Sequence, residues 1–366
     1  MFFLIVYIAM ETLRQPRCPC APHRCLAVLA TAVAALALGA GCHAQEAEQT
    51  AERTFELHGY GQVSEVKNES APGGSFGFDY DLSVLGVWRM RPDLRAWVQI
   101  ARYKESSTRL EWAFLDWDVS SATTVRLGQA RVPMGLVNEA RDVQTLRNSI
   151  SIPMLYDEDH GLVDEALRGV IVEHRRESST TGGLVAEAYA AGSMVSDETS
   201  NGVSARIVGA RLQWTPPSSD WTFAASAYGG RQASLEPDVA PGRHARYALV
   251  LSANLHAMSW DFSGELGTGR TGEGKVRVGY LQADREVAPQ SAFFVRAESA
   301  HRRSLDDDGS GWRSRLATGM AWKPSPHWGL RVEAGTNRAS PTESSSLGSP
   351  ARTQWNDVAV SFNFYL

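Results

Sequence analysis

Charge, rather than nucleophiles or metal ligands, is the chemistry this sequence offers. Residues 132–166 hold Glu139, Arg141, Asp142, Arg147, Asp157, Glu158, Asp159, Asp164 and Glu165. Such a density of ionised groups can set up a field but makes no bonds. Further arginines, Arg126, Arg277, Arg296, Arg315 and Arg331, recur in the polar phase of alternating stretches. Carboxylates and guanidiniums opposed across a narrow wet slot would admit polar solutes and reject apolar ones, and an excess of arginine would lean toward anions. Arginines paired with acids as a plain structural lining are the alternative. Covalent chemistry lacks its motifs, since H-E-x-x-H, G-x-S-x-G and P-loop patterns do not occur. The seven histidines after residue 44 fall in no nucleophile or metal pattern. Cys18, Cys20, Cys25 and His23 have ligand-like spacing but no scaffold around them. No enzyme activity, metal or bound cofactor is expected.

The cysteines carry a different message. All four, Cys42 being the last, lie in the first 42 of 366 residues. That stretch reads as an export leader: Arg14, Arg17 and Arg24 are basic, residues 26–38 are apolar and alanine-rich, and Cys42-His43-Ala44 is a small-x-small cleavage pattern. Residues 1–44 are therefore expected to be a signal peptide, with Met10 an alternative start. A retained membrane helix over 25–42 and a lipid-modified Cys42 are the competing readings. Cleavage would leave a chain without a thiol to mis-oxidise outside the cytoplasm. Removing Arg14, Arg17, Arg24 and Glu11 with the leader leaves 33 basic and 40 acidic residues, a net charge of −7, which argues against nucleic acid as a partner. The composition, 43% hydrophobic and 21% charged with a mean hydropathy of −0.25, excludes a helical membrane bundle. It remains compatible with strands whose two faces average out.

Period two dominates after the leader, the signature of strands with one apolar face. Phe78, Tyr80, Leu82, Val84, Trp88 and Met90 alternate with Asp79, Asp81, Ser83 and Arg89; Val358, Val360, Phe362, Phe364 and Leu366 alternate with Ala359, Ser361, Asn363 and Tyr365. Sixteen such segments are predicted, at 54–66, 76–90, 94–104, 109–119, 123–132, 167–176, 183–192, 203–215, 220–230, 245–256, 258–268, 274–284, 290–303, 311–323, 327–338 and 353–366. Most have the length a tilted strand needs to cross a bilayer. The connectors are expected to alternate strictly, short ones such as 91–93, 216–219, Ala257 and 324–326 against long ones such as 67–75, 132–166, 231–244 and 339–352. Short turns on one side and long loops on the other characterise an outer-membrane barrel. Trp88, Trp117, Trp214, Trp221, Trp260, Trp322 and Trp328 fall near strand ends beside the short turns, where an interfacial girdle belongs. The expectation is an all-β chain: a transmembrane antiparallel barrel over 54–366, after a short acidic tail at 45–53 on the periplasmic side.

One segment adds a resemblance. Arg126, Leu127, Gly128, Gln129, Pro133, Gly135, Leu136 and Asn138 resemble the R-L-G-[RQ]-x-x-x-P-x-G-L-x-N run of Gram-negative outer-membrane porins of the phosphate-selective and dicarboxylate-channel types. The close match covers about a tenth of the chain. The aromatic end Phe362-Asn363-Phe364-Tyr365-Leu366 resembles the tail read by the barrel-insertion machinery, although such tails more often finish in Phe. The resemblance implies a sixteen-stranded, often trimeric channel in outer-membrane lipid, passing small hydrophilic or anionic solutes, with the third long loop folded inward. The pattern independently makes 132–166 the longest connector, a size that is uncommon unless functional. On this reading its carboxylates face Arg277, Arg296, Arg315 and Arg331, while a solvated surface loop is the alternative. A closed structural or adhesive barrel is the competing function.

Overall fold

The computed structural model describes residues 55–68, 75–104, 108–141, 143, 146–157, 162–195, 203–233, 243–271, 274–304, 310–341 and 353–366. The expected leader, the tail at 45–53 and Cys42 lie outside these residues. Sixteen strands run in chain order: β1 (Phe55–Asn68), β2 (Ser75–Arg91), β3 (Leu94–Tyr103), β4 (Arg109–Ser120), β5 (Thr123–Arg131), β6 (Ala166–Ser178), β7 (Gly182–Val195), β8 (Val203–Thr215), β9 (Trp221–Ala233), β10 (Arg243–Ala257), β11 (Trp260–Arg270), β12 (Gly274–Ala288), β13 (Ser291–Ser304), β14 (Ser310–Ser325), β15 (Trp328–Ala339) and β16 (Gln354–Tyr365). Every strand pairs with its sequence neighbours, and β16 pairs back onto β1 to close the barrel. All pairs are antiparallel, including the closing one, in which Tyr60 faces Tyr365 and Val63 faces Phe362. Backbone hydrogen bonds between Gly59 and Leu366 extend that seam to the end of the chain.

The alternation places its apolar phase outside. Leu266, Leu281 and Val208 are exposed on the outer surface, as are Val332, Val358 and Val360. In water this much exposed hydrocarbon would be a liability; against acyl chains it is what stabilises the fold. Strands of nine residues (β5) to seventeen (β2) suit an apolar band of roughly 25 Å at about 3.3 Å per residue with tilt. Near the short turns the outer surface carries Trp88, Trp117, Trp214, Trp221, Trp322 and Trp328, all exposed. Some contact neighbouring rings, Trp221 stacking on Phe223 with centroids 5.5 Å apart and Trp322 meeting Trp328 edge to face at 5.7 Å.

The connectors depart from strict alternation. The link between β11 and β12 spans only 271–273, and that between β3 and β4 only 104–108, so two connectors on the long-loop side are as short as turns. The tight turn after β10 falls at Met258-Ser259 rather than Ala257, with Met258 at φ 58°. By contrast, 132–165 is the longest connector by a wide margin.

The described residues contain no cysteine, so single thiols can report topology. Met258→Cys, in a short turn and 98% exposed, should resist a membrane-impermeant maleimide on intact cells, whereas Thr108→Cys on the opposite side should react. Reaction at position 258 from outside would reverse the orientation.

Candidate functional site: the loop inside the barrel

Segment 132–165 leaves the top of β5 and returns to β6 through the lumen. Its neck is tied at once: the Val132 N–H donates to the Glu165 carbonyl (3.3 Å), and the Asn138 amide donates to the carbonyls of Val132 (2.8 Å) and Asp164 (3.3 Å). Gly135 takes φ 65°, a conformation a Cβ would strain, and that Cβ would collide with the Tyr156 hydroxyl. The turn aims two N–H groups at the wall, Gly135 to the Ser226 hydroxyl (3.0 Å) and Leu136 to the Glu265 carboxylate (2.5 Å). The Tyr156 hydroxyl also donates to Glu265.

Hydrophobic packing holds the loop against one side of the lumen. Val132, Met134, Leu155 and Leu162 are fully buried, in one cluster with Ile171, Ile207, Val250, Val276 and Val278 of the wall. Four such side chains at about 1.5–3 kcal/mol each make a large contribution to fixing a segment of this length. The wall is bare where they seat: a Cβ on Gly267 would stand 2.7 Å from the Leu155 side chain.

Polar contacts complete the attachment. On the wall opposite the neck, Arg296 donates to the Ser151 carbonyl (3.1 Å) and Arg331 to the Ser149 carbonyl (2.7 Å). Glu333 accepts the N–H groups of Ile150 (2.7 Å) and Ser151 (3.1 Å), and Glu298 accepts that of Met154 (2.7 Å). Arg315 pairs with Glu333 (2.9 Å) and Asp357 (2.8 Å). At the neck Glu165 meets Arg131 (2.5 Å) and Arg141 (3.6 Å), and Asp164 meets Arg246 (2.8 Å). Glu139, in a short 3-10 turn (Asn138–Ala140), reaches Arg211 (2.8 Å) and Arg126 (4.0 Å), and Arg126 also holds Asp116 (2.8 Å). Burial works against the Glu139 charge, but Arg211 and then Arg126 outweigh it and hold the carboxyl below its ordinary range.

The expected constriction residues therefore separate. Arg126, Glu139 and Arg141 gather at the neck, and Arg147, Arg296, Arg315 and Arg331 gather on the opposite wall. The loop carboxylates that meet wall arginines most closely are Glu139, on Arg211 and Arg126, Asp164, on Arg246, and Glu165, on Arg131. Asp157 lies 4.0 Å from Arg313 instead, and Asp142, Glu158 and Asp159 fall outside the described residues. Arg296 and Arg331 are almost without exposure, so they anchor loop carbonyls rather than face water. Arg277 is corrected outright: Val276 and Val278 on either side of it are buried against the loop, which turns Arg277 to the outer face. Charge alone also left the anchoring backbone at Ser149–Ile152 unmarked, since nothing in those residue types signals it. Asn138 and Gly135 did stand in the motif.

No family model and no curated protein matches the sequence. Solved structures do match in fold. OmpF of Salmonella typhi, in complex with daunomycin, superposes with a TM-score of 0.64 at 12% identity, covering 85% of this chain and 97% of that one. An anion-selective porin from Comamonas acidovorans gives 0.61 at 14%, covering 85% and 99%. In-vitro folded OmpT of Vibrio cholerae, in trimer form, gives 0.58 at 9%, covering 86% and 99%. The fold is that of a Gram-negative outer-membrane porin. An outer-membrane location accords with the apolar outer belt and its tryptophan girdle.

Two outcomes follow for the loop of this porin-fold chain. Glu333→Ala leaves two loop N–H groups and Arg315 short of an acceptor, a cost of about 3–5 kcal/mol for a broken buried charge network. Limited proteolysis should then cut near 146–157 while the barrel stays heat-modifiable on a gel; unchanged resistance would refute the anchor. The Glu139 tie, resting on a depressed carboxyl, is complete above the ordinary carboxylate pKa of about 4.3 and is lost as pH falls through the lower folded value. Hydrogen exchange at 139–141, corrected for intrinsic rate, should rise on acidification in the wild type and be already raised at neutral pH in Glu139→Gln.

Proposed function

We propose that the protein is a passive diffusion channel for small hydrophilic solutes, with a mild preference for anions. One observation supports this most directly. Near the short turns of β1–β6, four arginines are more exposed than the wall acid each pairs with. Arg89 is 53% exposed against 29% for Glu56, Arg175 67% against 14% for Glu173, and Arg126 22% against 5% for Asp116. Arg95 (34%) and Asp118 (31%) follow the same order by a small margin. A solute entering from that side meets guanidinium edges while the carboxylates lie beneath them. Fixed positive groups in a water-filled passage favour anions by field strength. The inward loop narrows the passage, and no bond-making step or cofactor enters this reading.

The closed-barrel alternative draws on the near-complete burial of Arg296 and Arg331 under the loop. Planar-bilayer recording separates the two. A channel gives discrete conductance steps and an anion-side reversal potential in a salt gradient, whereas a plugged barrel gives no steps. Arg89→Gln with Arg175→Gln should move the reversal potential toward cations, and deletion of 138–157 should raise conductance. An unmoved reversal potential would remove the anion preference, and unchanged conductance after the deletion would remove the constriction. We further propose a homotrimer, as in the trimer form of the Vibrio cholerae protein, and a C-terminal tail read during insertion. Native-gel mass and loss of assembly on removing 362–366 test these in turn.

A further inference from the structure

The lumen side of β2–β5 carries aromatic surface that neither the lipid belt nor the loop accounts for. Register sets it in a transverse row: Val87 faces Trp97, and Trp97 faces Phe114, whose own partner Gly128 has no side chain. In the row beneath, Arg89 faces Arg95, Arg95 faces Asp116 and Asp116 faces Arg126. The outward phase of these strands belongs to Trp88, Val98, Leu115 and Leu127, all exposed, so both rows turn to the lumen.

The two rows make one amphipathic surface. Trp97 and Phe114 stack with centroids 5.9 Å apart and planes 19° from parallel. The Arg126 guanidinium lies 4.7 Å from the Phe114 centroid, and Phe114 leans on the apolar cluster of the loop. Trp97 stays half-buried, and Arg89 in the row beneath is 53% exposed. Residues two apart on a strand are separated by about 6.6 Å, so a ring seated on Trp97 brings an attached oxyanion within reach of Arg95 and Arg89. A second observation marks the same corner. Gln99, fully buried, stands opposite Trp112, and neither its carboxamide nor the indole N–H of Trp97 or Trp112 has a hydrogen-bond partner. Three polar groups left unpaired beside these rings are a cost that packing alone does not explain.

We propose that this surface is a subsite for monoanions carried on a planar aromatic ring, the ring on Trp97 and Phe114 and the oxyanion on Arg95 and Arg89. The proposal rests on the diffusion-channel reading for how the solute arrives and leaves. Guanidinium forks match oxyanions in pairs, and ring–ring contact adds attraction beyond the area buried. A small anion without a ring gains only the first of these.

Two measurements on the full-length protein keep the subsite and the channel apart. The first is saturation-transfer NMR titration in detergent with benzenesulfonate and cyclohexanesulfonate, equal in charge and close in size. Benzenesulfonate should bind at least about threefold more tightly. Trp97→Leu/Phe114→Leu should abolish that margin while remaining heat-modifiable. Should it fail to fold, Trp97→Leu alone, which keeps the loop contact of Phe114, carries the same test. Trp97→Phe should retain the margin, and Trp117→Leu on the outer face should leave it untouched. Arg89→Gln/Arg95→Gln should weaken both sulfonates and preserve their ratio. The second is planar-bilayer recording with the two sulfonates on opposite sides, where the reversal potential should favour benzenesulfonate and lose that bias in the ring variant. Absence of conductance steps in simple salt would overturn the channel reading alone. Equal binding of the two sulfonates, an unchanged margin in the folded ring variants, or unchanged affinity in the arginine variant would overturn the subsite.

Discussion

Hydrocarbon offers no partner to a backbone N–H or carbonyl, so a sheet that crosses it must have no edge. The pairing of β16 with β1 meets that condition here, and the rest of the architecture depends on it. Closure forces each strand to span the apolar band, and it divides every strand into a lipid face and a lumen face. The tryptophans then gather where the strands leave hydrocarbon at the short turns, each ring part apolar and part wet.

Inside the barrel a second partition operates. A lumen lined only with charge would bind a long segment weakly, because exposed ion pairs contribute little and ordering the backbone is costly. The chain solves this with an apolar inner wall on β6–β13 that takes Met134, Leu155 and Leu162 as a soluble core would. Charged groups act afterwards. Glu265, Glu298, Glu333, Arg296 and Arg331 cap loop backbone groups that would otherwise be buried without partners, which is where hydrogen bonds to ionised groups count most. Removing the loop would thus expose both an apolar wall and several ionised groups to the lumen.

The two surfaces are coupled through the alternation of the strand. Once the loop claims apolar side chains at the upper inner wall, the neighbours that must face outward are free to be basic, as in Arg206, Arg277 and Arg303. Inward packing of one segment so determines the charge displayed to the membrane. On the lower inner wall of β1–β6, arginines pair with neighbouring acids and stand nearer the water.

Strand number, approximate bounds, the barrel class and the exceptional length of 132–166 were all legible in the sequence, because a period of two and turn residues are local signals. Arg126 and Glu139 were also legible as members of the site. Partner choice was not. Whether Arg277 points in or out depends on the burial of Val276 and Val278 beneath a loop more than a hundred residues earlier, which no local pattern records. Likewise Glu139 meets Arg211 rather than Arg296 because Gly135 and Asn138 fold the neck toward β8, and Ser149–Ile152 bind the far wall through backbone groups that every residue carries. Local periodicity determined the barrel; contacts between distant segments decided which charges face the lumen, the loop or the lipid.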